Sequence, residues 1–257
     1  MVYVTGDTHG DFDRIVWFAQ ENNDLTKDDY LIICGDFGGV WYRKDYVYNG
    51  NFYESEQKSL DMLNELPFTI LFVDGNHENH VNIADYPVKE WHGGKVHEIR
   101  PSVLHLMRGE VFNICGKKFF CFGGASSHDI RDGILNPDEY ENWEEEAIRW
   151  DRNFKQFRIK GFSWWEEELP TNEEMDNGIK NLQRDGWKTD FVITHSPPAT
   201  VIALVGYGLY EQDVLTNYLE DIRVDLDYQK WYMGHIHLDK AINAKEIILY
   251  HTIKRIV

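Results

Sequence analysis

Thr69-Ile70-Leu71-Phe72-Val73-Asp74-Gly75-Asn76-His77-Glu78 joins an apolar run to a polar turn rich in side chains that hold metals or move protons. The run reads as a strand, and the ligand-type residues stand at its carboxyl end. Four further segments share this plan. Val2-Tyr3-Val4 leads into Thr5-Gly6-Asp7-Thr8-His9, and Tyr30-Leu31-Ile32-Ile33 into Cys34-Gly35-Asp36. Phe191-Val192-Ile193 leads into Thr194-His195-Ser196, and Trp231-Tyr232-Met233 into Gly234-His235-Ile236-His237. Residues at the carboxyl ends of neighbouring strands converge on one crevice, where open α/β sheets place their sites.

The chain of 257 residues, 42% hydrophobic and 14% aromatic, is long enough for one large domain with a substantial core. The first strand begins at Val2 with no basic-then-apolar leader before it, so no secretory signal is expected. No apolar run approaches the ~20 residues of a membrane helix, and no membrane partner is expected. Cys34, Cys115 and Cys121 sit in apolar stretches and are odd in number, which predicts buried free thiols in a reducing, cytoplasmic setting. The net charge of −18, from 44 acidic and 26 basic residues, repels a phosphate backbone and disfavours long nucleic acid as a partner.

Strand and helix alternate in the first half. Asp11 is the expected N-cap of a helix carrying Ile15, Val16, Phe18 and Ala19, and a second helix is expected from Tyr53 to Leu66, stopped by Pro67. Val103–Met107, Glu110–Ile114 and Lys118–Phe122 read as a meander of hairpins, and Lys240–Asn243, Glu246–Tyr250 and Thr252–Val257 as further short strands. This pattern predicts an α/β fold of two sheets face to face with helices outside. In the segment 126–170, Asn136-Pro137-Asp138-Glu139 marks a helix start. Tyr140, Trp143, Ala147, Trp150, Phe154 and Phe157 then form an apolar stripe at steps of three and four, predicting an inserted aromatic helix around 137–160. That helix packs on its own domain, covers the site as a lid, or makes a dimer contact. A further helix is expected behind a capping box of Thr171 and Glu174, with Met175, Ile179 and Leu182 facing inward.

Asp7, Asp36, Asn76, His9, His195, His235 and His237 form a mixed oxygen and imidazole donor set, with His77 left aside. Such a set suits Mn, Fe, Zn or Co rather than the all-oxygen shell of Ca, and the lack of thiolates argues against a structural zinc. Asp-x-His and His-x-His spacings on strand ends let alternate side chains point the same way. One such segment alone is a weak signal; five in order are not.

The order D-x-H, G-D, G-N-H-[DE], an apolar-flanked H and G-H-x-H resembles the calcineurin-like metallophosphoesterase family, and the five blocks cover nearly the whole chain. The resemblance implies a single metallophosphoesterase domain over 1–257, two packed mixed β-sheets flanked by helices in a four-layer αββα sandwich. It implies two divalent ions (Mn, Fe, Zn or Co, with Mn for activity in vitro). Asp7, His9, Asp36 and His237 would hold one ion and Asn76, His195 and His235 the other, with Asp36 bridging. Two such ions about 3.5–4 Å apart hold a bridging hydroxide in line with phosphorus. In the family the histidine of G-N-H protonates the leaving oxygen, a role worth ~10²–10⁴-fold. Here that residue is His77, and simple orientation of bound phosphate is the other reading.

Protein serine/threonine phosphatases resemble this chain at Gly6–Gly10 and Gly75–Glu78, but carry an Asp-Arg pair after their G-D. This chain has Gly35-Asp36-Phe37-Gly38-Gly39-Val40-Trp41 instead, which disfavours a dedicated protein phosphatase. Arg43 is the candidate phosphate ligand in place of that arginine, with an ordinary surface arginine as the alternative. Asp74 or Glu78 is a candidate to orient His77, and helix capping explains Glu78 equally well. His128 either lines the pocket or is a polar loop residue. His80, His92, His97, His105 and His251 show no ligand-like partners, and Trp164-Trp165 with Glu166-Glu167-Glu168 reads as an anchored loop with a solvated face. The expected substrate is a small phosphate monoester or diester, or a phosphoprotein. A non-catalytic scaffold of the same fold is the rival class, weakened because every ligand position and His77 are present.

Overall fold

Period-two alternation in the short N-terminal strands decides which side chains meet which layer. Val2 and Val4 of β1 (Val2–Thr5), Ile32 of β2 (Tyr30–Ile33) and Leu71 of β3 (Thr69–Phe72) enter one core, while Leu31, Ile33, Ile70 and Phe72 enter another. The computed structural model describes residues 1–44, 46 and 51–257. The first sheet adds β4 (Val88–Trp91), β5 (Gly94–Arg100), β6 (Val103–Leu106) and β15 (Lys254–Arg255), in the order β15-β1-β2-β3-β6-β5-β4. The second sheet has the order β13-β14-β12-β11-β8-β7. Its strands are β7 (Glu110–Ile114), β8 (Lys117–Phe122), β11 (Lys188–Thr194), β12 (Asp227–Met233), β13 (Lys240–Ala241) and β14 (Glu246–Ile248).

The two sheets face each other across a core of Val4, Ile32, Leu71 and Leu106 from one side and Phe112, Phe119, Ile193 and Tyr232 from the other. Behind the first sheet lie α1 (Asp13–Glu21), α2 (Phe52–Glu65) and α3 (His80–Ala84), through Ile15, Leu60, Leu63 and Ile83. Behind the second lie α5 (Asn172–Arg184), α6 (Ala199–Val205) and α7 (Val214–Asp225), through Leu182, Val201, Leu219 and Ile222. The result is the expected αββα sandwich. No described helix is long and apolar enough to cross a membrane.

Several local expectations give way. The first helix is preceded by Phe12 rather than capped by Asp11, whose Oδ1 instead accepts from the Asp13 N–H at 3.1 Å. The stretch 103–122 is not one meander: β6 pairs with β3 and β5 in the first sheet, and only β7 and β8 form a hairpin. Between them Arg108 turns inward to a buried carboxylate, and Gly109 adopts a left-handed φ of 77° against α5, so the chain changes sheets there. Cys34 and Cys121 are buried, but Cys115 is exposed at a turn.

The inserted aromatic helix breaks into pieces. Asn136 caps a short 3₁₀ turn, Pro137–Glu139, and Asn142 caps a separate α4 (Trp143–Arg152). Phe154 then takes a left-handed φ of 55° with 91% of its surface exposed, and the chain reverses. The helical spacing of aromatics is satisfied across that reversal, with Trp150 against Phe157 and Trp143 against Phe162. The returning chain forms β10 (Arg158–Ile159), which pairs with β9 (Ile134–Leu135). The capping box at Thr171 and Glu174 is present, with Leu182 buried below it.

Gly178 of α5 lies against the Gly109 backbone, and a methyl group there would overlap the Tyr218 hydroxyl. Gly178→Ala gains at most ~1 kcal/mol of helix propensity, whereas overpacking costs about 1–3 kcal/mol. The expected result is a lower urea midpoint at unchanged m-value.

Candidate metal centre

The five ligand-bearing segments meet where the strand ends of the two sheets approach. Side-chain donors of Asp7, His9, Asp36 and His237 lie within 4.8 Å of one another, as do those of Asp36, His195 and His235, so Asp36 belongs to both groups. In the first group His9 Nε2 and His237 Nε2 are 3.0 Å apart, and His237 Nε2 is 3.3 Å from Asp7 Oδ2. In the second, His195 Nε2 stands 3.3 Å from Asp36 Oδ1. Asn76 is adjacent: its Nδ2 donates to Ser127 Oγ at 3.5 Å, while its Oδ1 is buried without a partner among the described residues. His195 Nε2 is likewise buried without a hydrogen bond.

Those two orphaned atoms test whether a cation fits. His195 Nδ1 donates to the Cys34 carbonyl at 2.8 Å, which fixes the tautomer and leaves the Nε2 lone pair aimed into the cluster. A buried acceptor without a donor costs about 1–3 kcal/mol, and a divalent ion satisfies the Asn76 oxygen and His195 nitrogen together. The residues fit a divalent metal. Backbone strain supports the same conclusion. His9, Asp36, His235 and His237 all have positive φ, a conformation that non-glycine residues hold only when surroundings impose it. Glycine is needed beside them: a Cβ on Gly75 would overlap Asp36 Oδ1, and one on Gly234 would overlap Asp7 Oδ1.

The electrostatics follow from burial and crowding. Burial opposes the Asp36 charge, but His195, His77 and His9 overcome it and hold the carboxyl well below its ordinary range. Burial also opposes protonation of His195, yet Asp36 prevails and pushes it up to about 10, so a cation bound at Nε2 would take the place of that second proton. His235, buried beside His195, is held well below its ordinary value.

His77 lies at the edge of the clusters, its ring edge-on to His9 at 4.7 Å and nearly parallel to Trp41 at 5.7 Å. Its backbone N–H donates to Asp36 Oδ1 at 2.8 Å. Burial chiefly, with Arg158 nearby, lowers its pKa to about 4 against the pull of Asp36. Neither Asp74 nor Glu78 orients its side chain. Glu78 accepts from the Gly75 and Gly38 N–H groups at 2.6 and 3.1 Å, tying two site loops together. Asp74 pairs with Arg108 and accepts from His105 at 3.1 Å, with His80 3.8 Å away and His97 bonded in turn to His105. Three histidines without apparent partners in sequence are thus the surroundings of one buried carboxylate.

The side chain that does reach His77 is Arg158, from the inserted segment. Its Nη2 donates to His77 Nε2 at 2.9 Å and its Nη1 to the Asn76 carbonyl at 3.2 Å. Asp129 at 2.7 Å and Glu168 at 3.6 Å hold the guanidinium, which is 95% buried. Sequence reasoning placed Arg158 inside a long helix, and no local pattern marks it. Arg43, the arginine singled out from sequence, lies over the Phe162 ring at 4.9 Å and lines a groove with Trp164 and Trp165. Glu168 does not belong to a solvated face: it is buried and accepts from the Ser127 N–H and hydroxyl.

Two cavities open from the centre. One of about 330 Å³ is entered past His9 and His77 and lined by Trp41, Tyr42, Phe52 and Glu56. The other, of about 670 Å³, lies beside His235 and is lined by Ser127, His128, Tyr210 and Asp213. His128 thus lines a pocket, its ring 4.7 Å from that of Tyr210.

Residues 1–239 match the calcineurin-like phosphoesterase family, and the chain belongs to it. That family is one of phosphoesterases. Among curated proteins, the lariat debranching enzyme of Danio rerio is 26% identical over 62% of this chain and 28% of its own length. That of Schizosaccharomyces pombe is 23% identical over 92% of this chain and 48% of its own. The chain therefore spans less than half the length of these relatives. Among solved structures, the phosphopantetheinyl hydrolase of Mycobacterium tuberculosis aligns over 97% of this chain and 89% of that chain, with 16% identity and a TM-score of 0.47.

Glu56 gives the site region a pH dependence of its own. Burial pushes its carboxyl from 4.5 up to about 7, although its Oε2 accepts from the Trp41 and Tyr42 N–H groups. A folded-state pKa above the unfolded one gives stability that is complete below pH 4.5 and lost as pH rises through 7. The loss is on the order of 3 kcal/mol. Glu56→Gln should remove that slope, so that urea midpoints of variant and parent diverge in the variant's favour between pH 5 and pH 8.

Proposed function

We propose that this protein hydrolyses small phosphate diesters with two divalent ions. One ion is held by Asp7, His9, Asp36 and His237, the other by Asp36, Asn76, His195 and His235. The observation that carries the diester reading is the pair of separate cavities opening from one centre, past His9 and His77 on one side and past His235 on the other. A diester has two organic arms and a monoester one. The lariat debranching enzymes among the relatives agree with a diester substrate, and Mn is the metal expected to support activity in vitro.

When bound, the ions would supply an activated water and neutralise charge at phosphorus. The chain's own groups do the rest. Arg158 donates its Nη2 hydrogen bond to a phosphoryl oxygen as substrate enters, a charge-assisted contact of the kind arginine makes to phosphate. That move frees the His77 Nε2 lone pair to take up a proton from solvent and pass it to the leaving ester oxygen. Trp41 and His9 fix the plane of the His77 ring. Serine/threonine protein phosphatase activity is the weaker alternative, because Phe37 and Gly38 follow Asp36 where those enzymes carry their Asp-Arg pair.

In Mn-loaded protein, an aryl diester should be cleaved with higher kcat/KM than the matching monoester. A reversed order sinks the diester reading, and no turnover of either ester with both sites filled favours a scaffold. His77→Asn should retain metal and lose about 10²–10⁴-fold in kcat. Arg158→Lys cannot reach both His77 Nε2 and the Asn76 carbonyl. It should raise KM and lower kcat, with metal content by mass spectrometry unchanged.

A further inference from the structure

We propose that the cavity beside His9 and His77 is a nucleobase pocket, in which Glu56 accepts a hydrogen bond from a ring N–H or exocyclic amine. The inference rests on the diester reading and specifies one arm of the substrate as a nucleoside.

Three features on the cavity wall support it. Glu56 is only 7% exposed, and its Oε2 is committed to the Trp41 and Tyr42 N–H groups at 2.6 and 3.0 Å. Its Oε1 is buried and has no hydrogen-bond partner among the described residues. A lone acceptor in the side chain of a cavity-wall residue calls for a donor, and a carboxylate is suited to the amino and ring N–H groups of bases. Around it the walls are flat rings. Tyr42 and Phe52 stack at 5.3 Å and 18°, and Phe52 leaves 59% of its surface exposed at the rim. Trp41 continues the wall to His77, its plane within 22° of the imidazole. Aromatic faces hold bases by stacking with little regard to sequence. Finally, about 330 Å³ is room for a base, at the small end of ligand pockets.

An alkylammonium group is the other ligand that aromatic rings and a carboxyl attract. It is disfavoured because the cavity mouth adjoins donor clusters that gather cations, and Arg158 stands behind His77.

Two measurements decide the matter. In the first, the metal-free full chain is titrated with adenosine, cytidine or ribose and followed by saturation-transfer NMR. Binding of both nucleosides and not of ribose is expected. Glu56→Gln keeps an oxygen for the Trp41 and Tyr42 N–H groups but puts an amide donor where the free acceptor stood. Phe52→Ala removes an exposed ring and does not threaten folding. Each should weaken nucleoside binding by ~10-fold. In the second, Mn-loaded protein is offered adenosine 5′-(p-nitrophenyl) phosphate, methyl p-nitrophenyl phosphate and p-nitrophenyl phosphocholine. The nucleoside ester should be preferred over the methyl ester by ~10-fold in kcat/KM, and the ratio should fall toward one in both variants.

Absence of nucleoside binding, a preference that survives both substitutions, or a preference for the choline ester overturns the pocket. Turnover of the methyl ester without any preference overturns it too, and leaves the diester reading standing. No turnover of any ester sinks the diester reading, while nucleoside binding still decides what the cavity holds.

Discussion

Asp36 places one buried carboxylate where two donor clusters meet, and both of its oxygens are engaged. Oδ1 accepts from the His77 N–H and faces His195 Nε2, and Oδ2 faces His9 Nε2 at 3.7 Å. A carboxylate this deep is charged only because imidazoles surround it. Its neighbours adjust to that charge. Burial first, and Asp36 beside it, push Glu78 up to about 8, so this second buried carboxyl gives up its charge. It survives there because the Gly75 and Gly38 N–H groups both donate to it. The left-handed backbone of Asp36 and the missing side chain of Gly75 are the geometric side of the same constraint.

Behind the centre, a third buried acid is accommodated in a different way. Asp74 lies under the loop that carries Asn76 and His77, and burial alone would suppress its charge. Arg108 foremost, then His105 and His80, hold it well below the ordinary carboxylate range instead. Arg158 performs a matching service above the loop, gathering Asp129, Glu168 and the Asn76 carbonyl around one guanidinium. The loop from Asp74 to Glu78 is therefore held between two buried arginines. One belongs to the sheet-crossing turn and one to the inserted segment, so the insertion is structural to the site as well as adjacent to it.

The ligand-type residues and the layered fold were legible in the sequence because each rests on local chemistry. Apolar runs ending in Asp7, Asp36, Asn76, His195 and His235 announce strand ends, and strand ends of neighbouring strands must converge. Arg158 was not legible, because its partners lie at Asn76, His77 and Asp129, and no period or spacing encodes contacts over 81 residues. The same limit applies to His97 and His105, whose shared purpose is visible only once Asp74 stands beside them. The aromatic stripe from Tyr140 to Phe157 misled for the opposite reason. Helical spacing also arises when rings pair across a chain reversal, as Trp150 does with Phe157. Arg43 drew attention by nearness in sequence to Asp36, and its ring contact with Phe162 took it elsewhere.

The apposition of the two sheets has a mechanical meaning. Asp7, His9, Asp36 and Asn76 follow strands of the first sheet, and His195, His235 and His237 follow strands of the second. Neither donor cluster is complete within one sheet, since the first needs His237 and the second needs Asp36. Anything held by either cluster works as a rivet through the apolar layer between the sheets, and a ligand bound only by the assembled state stabilises that state by mass action. Slippage of one sheet over the other by a single residue would separate Asp36 from His195. The inter-sheet core is thus the gauge that sets the spacing of the donors.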